Sequence, residues 1–105
     1  MKAAQELQSD FGIDGTVSIF EIASDYPAIR VNNRYATADI ALHGAHVMAY
    51  QPSGHAQVLW LSRDAIYRAG KAIRGGIPIC WPWFGAHQNA SLPAHGFVRN
   101  CFCLL

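Results

Sequence analysis

Apolar and polar residues alternate along the first half of this chain with the two-residue period of half-buried β-strands. The clearest case is residues 35–42, where the two faces of a strand divide the side chains: Ala36, Ala38, Ile40 and Leu42 on one face, Thr37 and Asp39 with the following His43 on the other. Further short runs predict strands over residues 16–23, 28–31, 45–50 and 58–61. The pattern amounts to about six short strands.

Helical periodicity is weak by comparison. Leu7 and Phe11 lie four residues apart and predict a short helix over residues 3–11 with a shared face, and residues 65–72 have room for one loose helical turn. Turn residues separate the strands: Asp14-Gly15, Asn32-Asn33, Gly44 as a bulge or corner, and Pro52-Ser53-Gly54. We therefore predict an all-β fold, an antiparallel sheet that forms part of a sandwich, in one domain spanning residues 1–105.

The residue composition changes after residue 62, where glycine, proline and aromatic residues become frequent. Glycines and prolines at positions 75, 76, 78, 82, 85 and 93 exclude a regular helix, and three large aromatic side chains argue against disorder: Trp81, Trp83 and Phe84. A long irregular segment in a compact domain is usually functional or disordered. We therefore expect residues 73–99, called the loop segment below, to be a functional loop.

Charge is distributed unevenly along the chain. Residues 1–64 contain all seven carboxylates and four basic residues, for a balance of 4 − 7 = −3, whereas residues 65–105 contain four basic residues and no carboxylate, for a balance of +4. A region without local acids favours anions. Four dispersed cations are too few for a nucleic-acid groove, so no nucleic-acid partner is predicted. Chance clustering of a few charges remains an alternative.

Arg74 precedes Gly75-Gly76 in the loop segment. Paired glycines allow positive φ and a small anion-binding concavity of backbone amides, and an arginine offers a planar fork to phosphate or carboxylate. A turn between strands with a solvated arginine is the alternative. The nearby aromatic block of residues 81–84 could wall a sugar pocket, although burial in the core is the better expectation for each single ring.

His95 and Arg99 close the loop segment. If a strand starts at His95, then His95, Phe97 and Arg99 share one face, and the two polar residues stand about 13 Å apart at ~3.3 Å per residue. That span suits a grip on opposite ends of a phosphorylated hexose. A surface histidine and a surface arginine are the alternative interpretation.

Other chemistry finds little support in the residues. His43 and His46 are three apart, which places them on opposite faces of a strand, and no cysteine or carboxylate stands at ligand spacing, so no metal is predicted. No cofactor fingerprint is present. Three cysteines, an odd number, do not form a disulfide framework and are expected to be reduced: Cys80, Cys101 and Cys103. Without an export signal or a long apolar run, we predict a cytoplasmic protein with no membrane partner.

Two motifs in the loop segment, Ile73-Arg-Gly-Gly-Ile-Pro-Ile-Cys-Trp-Pro-Trp-Phe-Gly85 and Leu92-Pro-Ala-His-Gly-Phe-Val-Arg99, closely resemble the glucose-6-phosphate 1-epimerases. These are the hexose-6-phosphate mutarotases of the aldose 1-epimerase superfamily. Leu42-His-Gly-Ala-His-Val47 and Val58-Leu-Trp-Leu-Ser62 also resemble the family's early strands, in the same order. The resemblance implies a large, galactose-mutarotase-like antiparallel β-sandwich that interconverts the α and β anomers of a hexose 6-phosphate without a cofactor.

The resemblance also implies roles for particular residues. Arg74 and Arg99 match the arginines that hold the substrate, chiefly its phosphate, and His95 matches a pocket histidine that contacts it. The family's catalytic histidine and glutamate lie on later strands, so we expect no catalytic residue in these 105 residues. We therefore expect an N-terminal, truncated portion of the enzyme, inactive alone. The alternatives are a non-catalytic sugar-phosphate-binding module and a non-functional gene fragment.

Overall fold

A computed structural model describes residues 2–105 and places one antiparallel sheet at the centre of the fold. The chain begins with a helix and continues through four strands and a short 3₁₀ helix: α1 (Ala4–Phe11), β1 (Val17–Ala23), β2 (Tyr26–Asn32), β3 (Ala36–Ala41), β4 (His46–Pro52) and η1 (Val98–Asn100). The strands lie in the order β1-β2-β3-β4, and every neighbouring pair is antiparallel. The predicted antiparallel β-fold is confirmed.

Helix α1 packs beside the first strand. Leu7 is buried, and the Gln8 Oε1 atom accepts a 2.6 Å hydrogen bond from the Ile19 amide of β1. The predicted N-terminal helix is confirmed, but Phe11 is 43% exposed. Only Leu7 of the predicted pair therefore contributes to the buried face.

The hairpins connecting the strands follow the turn residues in the sequence. Asp25, at φ +55°, lies in the turn between β1 and β2. Asn33 accepts hydrogen bonds at its Oδ1 atom from the amides of Tyr35 and Ala36, which fixes the turn between β2 and β3. Beyond that turn, Arg30 and Asp39 are register partners across β2 and β3.

The second half of the chain packs onto one face of this sheet. The buried core consists of Tyr26, Ala28, Ala41, Met48 and Ile73. Edge-on ring contacts extend it toward the later segments, since Tyr26 lies 5.7 Å from Tyr67 and 5.6 Å from Phe102 between ring centroids. Residues on both sides of the loop segment, Tyr67 and Phe102, thereby pack against the sheet.

Two expectations about this second half are wrong. Residues 58–61 do not form a strand, since only Leu61 makes an isolated bridge, to Gly75. The partner backbone at Gly75 and Gly76 has φ values of +109° and +68°, which no extended ladder tolerates. Residues 65–72 form turns rather than a helical turn, so the described residues contain four strands instead of about six.

Candidate functional site

The turn between β3 and β4 is the corner on which the candidate site is built. Gly44 and Ala45 have φ values of +75° and +46°, which reverse the chain and confirm the corner expected at Gly44. His43 is 0% exposed and His46 is 1% exposed, so both imidazoles point into the protein rather than to opposite faces of a strand. We call residues 42–46 the histidine corner.

The Arg74 side of the site is fastened to β4 through His46. The His46 Nε2 atom donates a 2.5 Å hydrogen bond to the Gly75 carbonyl oxygen. Val47 and Ile77 exchange two backbone hydrogen bonds of 3.2 and 2.9 Å directly beyond it. A Cβ at Gly76 would lie 2.3 Å from the Val47 oxygen, so the approach requires glycine. Arg74 itself is exposed at the mouth of this turn.

The Arg99 side is fastened to the same corner through its backbone. The Gly44 amide donates a 2.6 Å hydrogen bond to the Cys101 carbonyl, and the Cys103 amide donates one of 2.8 Å to the Leu42 carbonyl. Arg99 is half-buried, and its Nε atom is buried with no hydrogen-bond partner. The histidine corner therefore holds the backbone on both sides of the site.

The strand expected from His95 onward is wrong. His95 has a φ of +64° and lies in a turn, Gly96 has a φ of +76°, and residues Val98–Asn100 form the 3₁₀ helix. Gly96 bridges to Trp81 within the loop segment instead of joining the sheet. The extended spacing of about 13 Å between His95 and Arg99 therefore does not apply.

His95 is held by the backbone of the loop segment in one tautomer. Its Nδ1 atom accepts a 3.0 Å hydrogen bond from the Gly85 amide, and its own amide donates a 2.8 Å bond to the Gly85 carbonyl. The neutral ring consequently carries its proton on Nε2. The ring also lies edge-on to Phe84, at 4.9 Å between centroids. His95 thus offers one N–H donor beside an aromatic ring.

The aromatic block is more exposed than expected. Trp81 is 64% exposed and Phe84 is 82% exposed, so the expectation of core burial is wrong for both rings. Trp83 is half-buried, donating from Nε1 to the Pro93 carbonyl at 3.1 Å and packing on Phe97. Trp81 and Phe84 are exposed because this part of the loop segment makes its backbone contacts within the loop, Trp81 with Gly96 and His95 with Gly85, rather than with the sheet.

Cations dominate the electrostatics of the loop segment. The ion pairs of the described residues, Lys2 with Asp10 and Arg30 with Asp39, lie elsewhere. Within residues 2–105, no hydrogen bond joins the side chains of the three predicted site residues, Arg74, His95 and Arg99. The structure thus ties Arg74 and Arg99 to one corner, whereas His95 reaches that corner only through the loop.

Burial favours the neutral form of the two corner histidines. Desolvation lowers the pKa of His46, the Arg99 charge lowers it further, and the hydrogen bond to Gly75 opposes both. Desolvation also lowers the pKa of His43, with a contribution from His46, against a backbone contact with Asn100. Sequence reasoning missed the part His46 plays here, because its only signal was the glycine turn before it.

The described residues contain neither a candidate metal-binding cluster nor a candidate membrane-spanning helix. The part of the chain that the structure describes holds no group of three or more histidine, cysteine or acidic side chains arranged around a common point. None of the helices within residues 2–105 is long and apolar enough to cross a membrane.

Comparison with known proteins shows which family the chain is similar to. Residues 27–102 match the sequence profile described as Aldose 1-epimerase. The chain is 47% identical over 79 residues to an Escherichia coli (strain K12) protein named "Putative glucose-6-phosphate 1-epimerase", covering 75% of this chain and 24% of that protein. A Salmonella typhimurium protein of the same name is 47% identical over 76 residues, covering 72% and 26%.

A solved structure gives the corresponding result for the fold. The crystal structure described as a putative mutarotase (YeaD) from Salmonella typhimurium superposes with a TM-score of 0.80 at 41% identity, covering 86% of this chain and 30% of that one. The chain thus spans about a quarter of the length of the two curated relatives, at 24% and 26%.

Proposed function

The chain belongs to the aldose 1-epimerase family, and we therefore propose that it holds a hexose 6-phosphate for an enzyme that interconverts the sugar's α and β anomers. One observation carries the proposal: the segments that bear Arg74 and Arg99 are both hydrogen-bonded to the histidine corner, and both belong to residues 65–105, which contain no side-chain carboxylate. A guanidinium without an acidic partner is well suited to a phosphate, which it grips with two parallel hydrogen bonds. The names of the curated relatives support glucose 6-phosphate as the first ligand to test.

His95 is proposed to contact the sugar. Its Nε2–H donor is left free by the hydrogen bond at Nδ1, and a neutral donor of this kind suits a hydroxyl or the ring oxygen. The neighbouring exposed ring of Phe84 supplies an apolar surface beside it. In this arrangement the arginines hold the phosphate and His95 helps to orient the ring.

We propose that these 105 residues bind the substrate without converting it. Anomer exchange needs an acid that protonates the ring oxygen and a base that removes the proton of the anomeric hydroxyl. Within residues 2–105, no hydrogen bond joins a histidine to a carboxylate, and both glutamates lie on α1 and β1: Glu6 and Glu21. The same observation supports the second candidate function, a non-catalytic sugar-phosphate-binding module.

Calorimetric titration of the chain with glucose 6-phosphate tests the binding proposal. Arg74→Ala and Arg99→Ala should each weaken binding roughly 10- to 100-fold, the value of a lost charge-assisted hydrogen bond. Arg34→Ala is the matched control, because Arg34 stacks on Tyr35 in the turn between β2 and β3. Unchanged affinity in both site variants would contradict the proposal, as would equal binding of unphosphorylated glucose.

The catalytic part of the proposal needs a separate measurement. Exchange NMR on glucose 6-phosphate, with and without the chain at equal pH and buffer, reports the rate of anomer interconversion. We expect no acceleration above the buffer rate. A rate that rises with the concentration of the chain would overturn the proposed lack of catalysis and leave the binding proposal intact.

A further inference from the structure

His46 lies between the two arginine-bearing segments of the proposed site. It is 1% exposed and leaves the histidine corner at the first position of β4. Its Nε2 atom bonds to the Gly75 carbonyl, and a Cβ on Gly76 would lie 2.9 Å from the same nitrogen. The imidazole therefore underlies the turn that immediately follows Arg74.

The other ring nitrogen faces a different environment. Because Nε2 donates to a carbonyl, the neutral ring carries no proton on Nδ1, which is left as an acceptor. Nδ1 is buried and has no hydrogen-bond partner among the described residues. A buried acceptor without a partner is unfavourable, and buried polar groups are normally satisfied by a protein group or an ordered water.

Arg99 supplies the complementary group. Its Nε–H is a donor that is also buried without a partner in the described part of the chain. The Arg99 backbone lies against the histidine corner two residues before His46, since a Cβ at Gly44 would stand 2.9 Å from the Arg99 Cα atom. One unpaired acceptor and one unpaired donor thus lie under the two sides of the proposed phosphate site.

We infer that His46 is a positioning residue for the substrate-holding arginines: its Nε2–H fixes the Gly75 turn beside Arg74, and its Nδ1 accepts from the Arg99 side through one bridging water. The inference rests on the proposed function for its ligand. It gives the corner a role beyond packing, because one neutral imidazole sets the relative placement of two cations. A protonated ring would lose the acceptor at Nδ1.

Two substitutions of His46 distinguish its positioning role from a general contribution to the stability of the fold. His46→Leu removes both polar atoms, whereas His46→Gln retains an amide donor near the Nε2 position. The control is Met48→Ala, which empties a buried position on the same strand and contacts neither arginine segment through a polar atom. Each variant is titrated with glucose 6-phosphate at a temperature where its unfolding curve shows it to be folded.

We expect His46→Leu to raise the Kd for glucose 6-phosphate at least about tenfold and His46→Gln to raise it by less, because glutamine keeps the donor near Nε2 and loses the acceptor at Nδ1. Met48→Ala should lose stability and keep the wild-type Kd. Wild-type affinity in His46→Leu would overturn the inference. So would a His46→Gln variant as weak as His46→Leu, or an equal loss in Met48→Ala.

The tautomer of His46 can be tested first by NMR of the unliganded wild-type chain, without ligand and without a variant. The ¹⁵N shifts of the His46 ring should show the proton on Nε2 at neutral pH, and a proton on Nδ1 would overturn the inference. If the wild-type chain fails to bind glucose 6-phosphate, the proposed function is contradicted, but the positioning role of His46 is not yet contradicted. The inference then stands or falls on whether His46→Leu, and not Met48→Ala, shifts the Gly75 amide and the Arg99 Nε–H signals.

Discussion

Gly44 lies directly against the backbone of Arg99: a Cβ at Gly44 would stand 2.9 Å from the Arg99 Cα atom and 3.0 Å from its carbonyl oxygen. The φ of +75° at Gly44 makes this approach possible, and its amide is used in the bond to the Cys101 carbonyl. Placement of a proposed substrate-holding arginine therefore depends on a glycine 55 positions earlier, 99 − 44 = 55.

Gly44→Ala should consequently cost more than an ordinary glycine substitution. Alanine at positive φ costs roughly 1–2 kcal/mol anywhere, and displacement of the Arg99 backbone adds roughly 1–3 kcal/mol as overpacking. Gly54→Ala is the matched control, because Gly54 has a φ of +76° and nothing within 4 Å of its Cβ position. Urea unfolding of both variants measures the difference, and equal losses in the free energy of unfolding would contradict the prediction.

Gly96→Ala should open the loop segment without unfolding the sheet. A Cβ at Gly96 would lie 2.1 Å from the Trp81 carbonyl oxygen, which accepts the 2.8 Å hydrogen bond from the Phe97 amide. We expect faster hydrogen exchange at the Phe97 amide and unchanged protection in β2 and β3. Gly85→Ala is the control, since Gly85 has a similar φ of +78° and open space at its Cβ. Uniform loss of protection across the chain would refute the prediction.

The register pair of Arg30 and Asp39 should contribute little stability despite its good geometry. Arg30 donates from Nε and from an Nη atom to the two Asp39 oxygens at 2.8 and 2.9 Å, and its guanidinium also stacks over Phe20. The Arg30 side chain is 49% exposed, so solvent and salt screen the pair. A double-mutant cycle with alanine should give a coupling energy of about 0.2–1 kcal/mol that falls in 1 M salt. A salt-independent coupling above that range would contradict this expectation.

Sequence reasoning succeeded where structure is determined locally. The strand Ala36–Ala41 and the turn at Asn33 depend on neighbouring residues, and both were predicted from them. The predicted division of that strand into a buried and an exposed face is wrong, because residues 36–40 are all half-buried and the fully buried residue, Ala41, lies on the face opposite Ala36, Ala38 and Ile40. Residues 58–61 have comparable β-forming composition but meet a partner at positive φ, so their ladder stops at Leu61. The absence of a strand at residues 58–61 therefore follows from the backbone conformation of the partner segment rather than from the sequence of residues 58–61.

The candidate site shows the same contrast between structure that neighbouring residues determine and structure that depends on distant parts of the chain. A run such as residues 95–99 predicts a strand only if each residue is extended, and the φ values of His95 and Gly96 break that condition. For His43 and His46, three-residue spacing implied opposite faces, but the intervening reversal at Gly44 and Ala45 buries both. The residues of the proposed site were predicted from the motifs, and a corner was predicted at Gly44, but the hydrogen bonds from that corner to both arginine-bearing segments were not.

Lowering the pH should destabilise the chain through His43 and His46. Burial lowers the pKa of both rings below the ordinary 6.5, and in the unfolded chain the rings recover that value. Below pH 6.5 the unfolded state therefore binds more protons than the folded state, and the free energy of unfolding falls as the pH falls. The stabilising contribution is complete above pH 6.5 and is lost progressively as the pH drops through the folded-state pKa values.

Chemical denaturation between pH 5.5 and 7.5 measures this dependence, in a window above the range in which most carboxylates titrate. A double variant, His43→Gln with His46→Gln, should be less stable at pH 7.5 and show a flatter profile, because it has lost the two groups that must stay neutral. Burial is the main cause of this direction. A hydrogen bond supports it for His43, because Gly70 donates to its Nε2 atom at 3.2 Å and a proton placed there would face another N–H. A wild-type profile that is flat or rises toward acid would show that neither imidazole is held neutral by the fold.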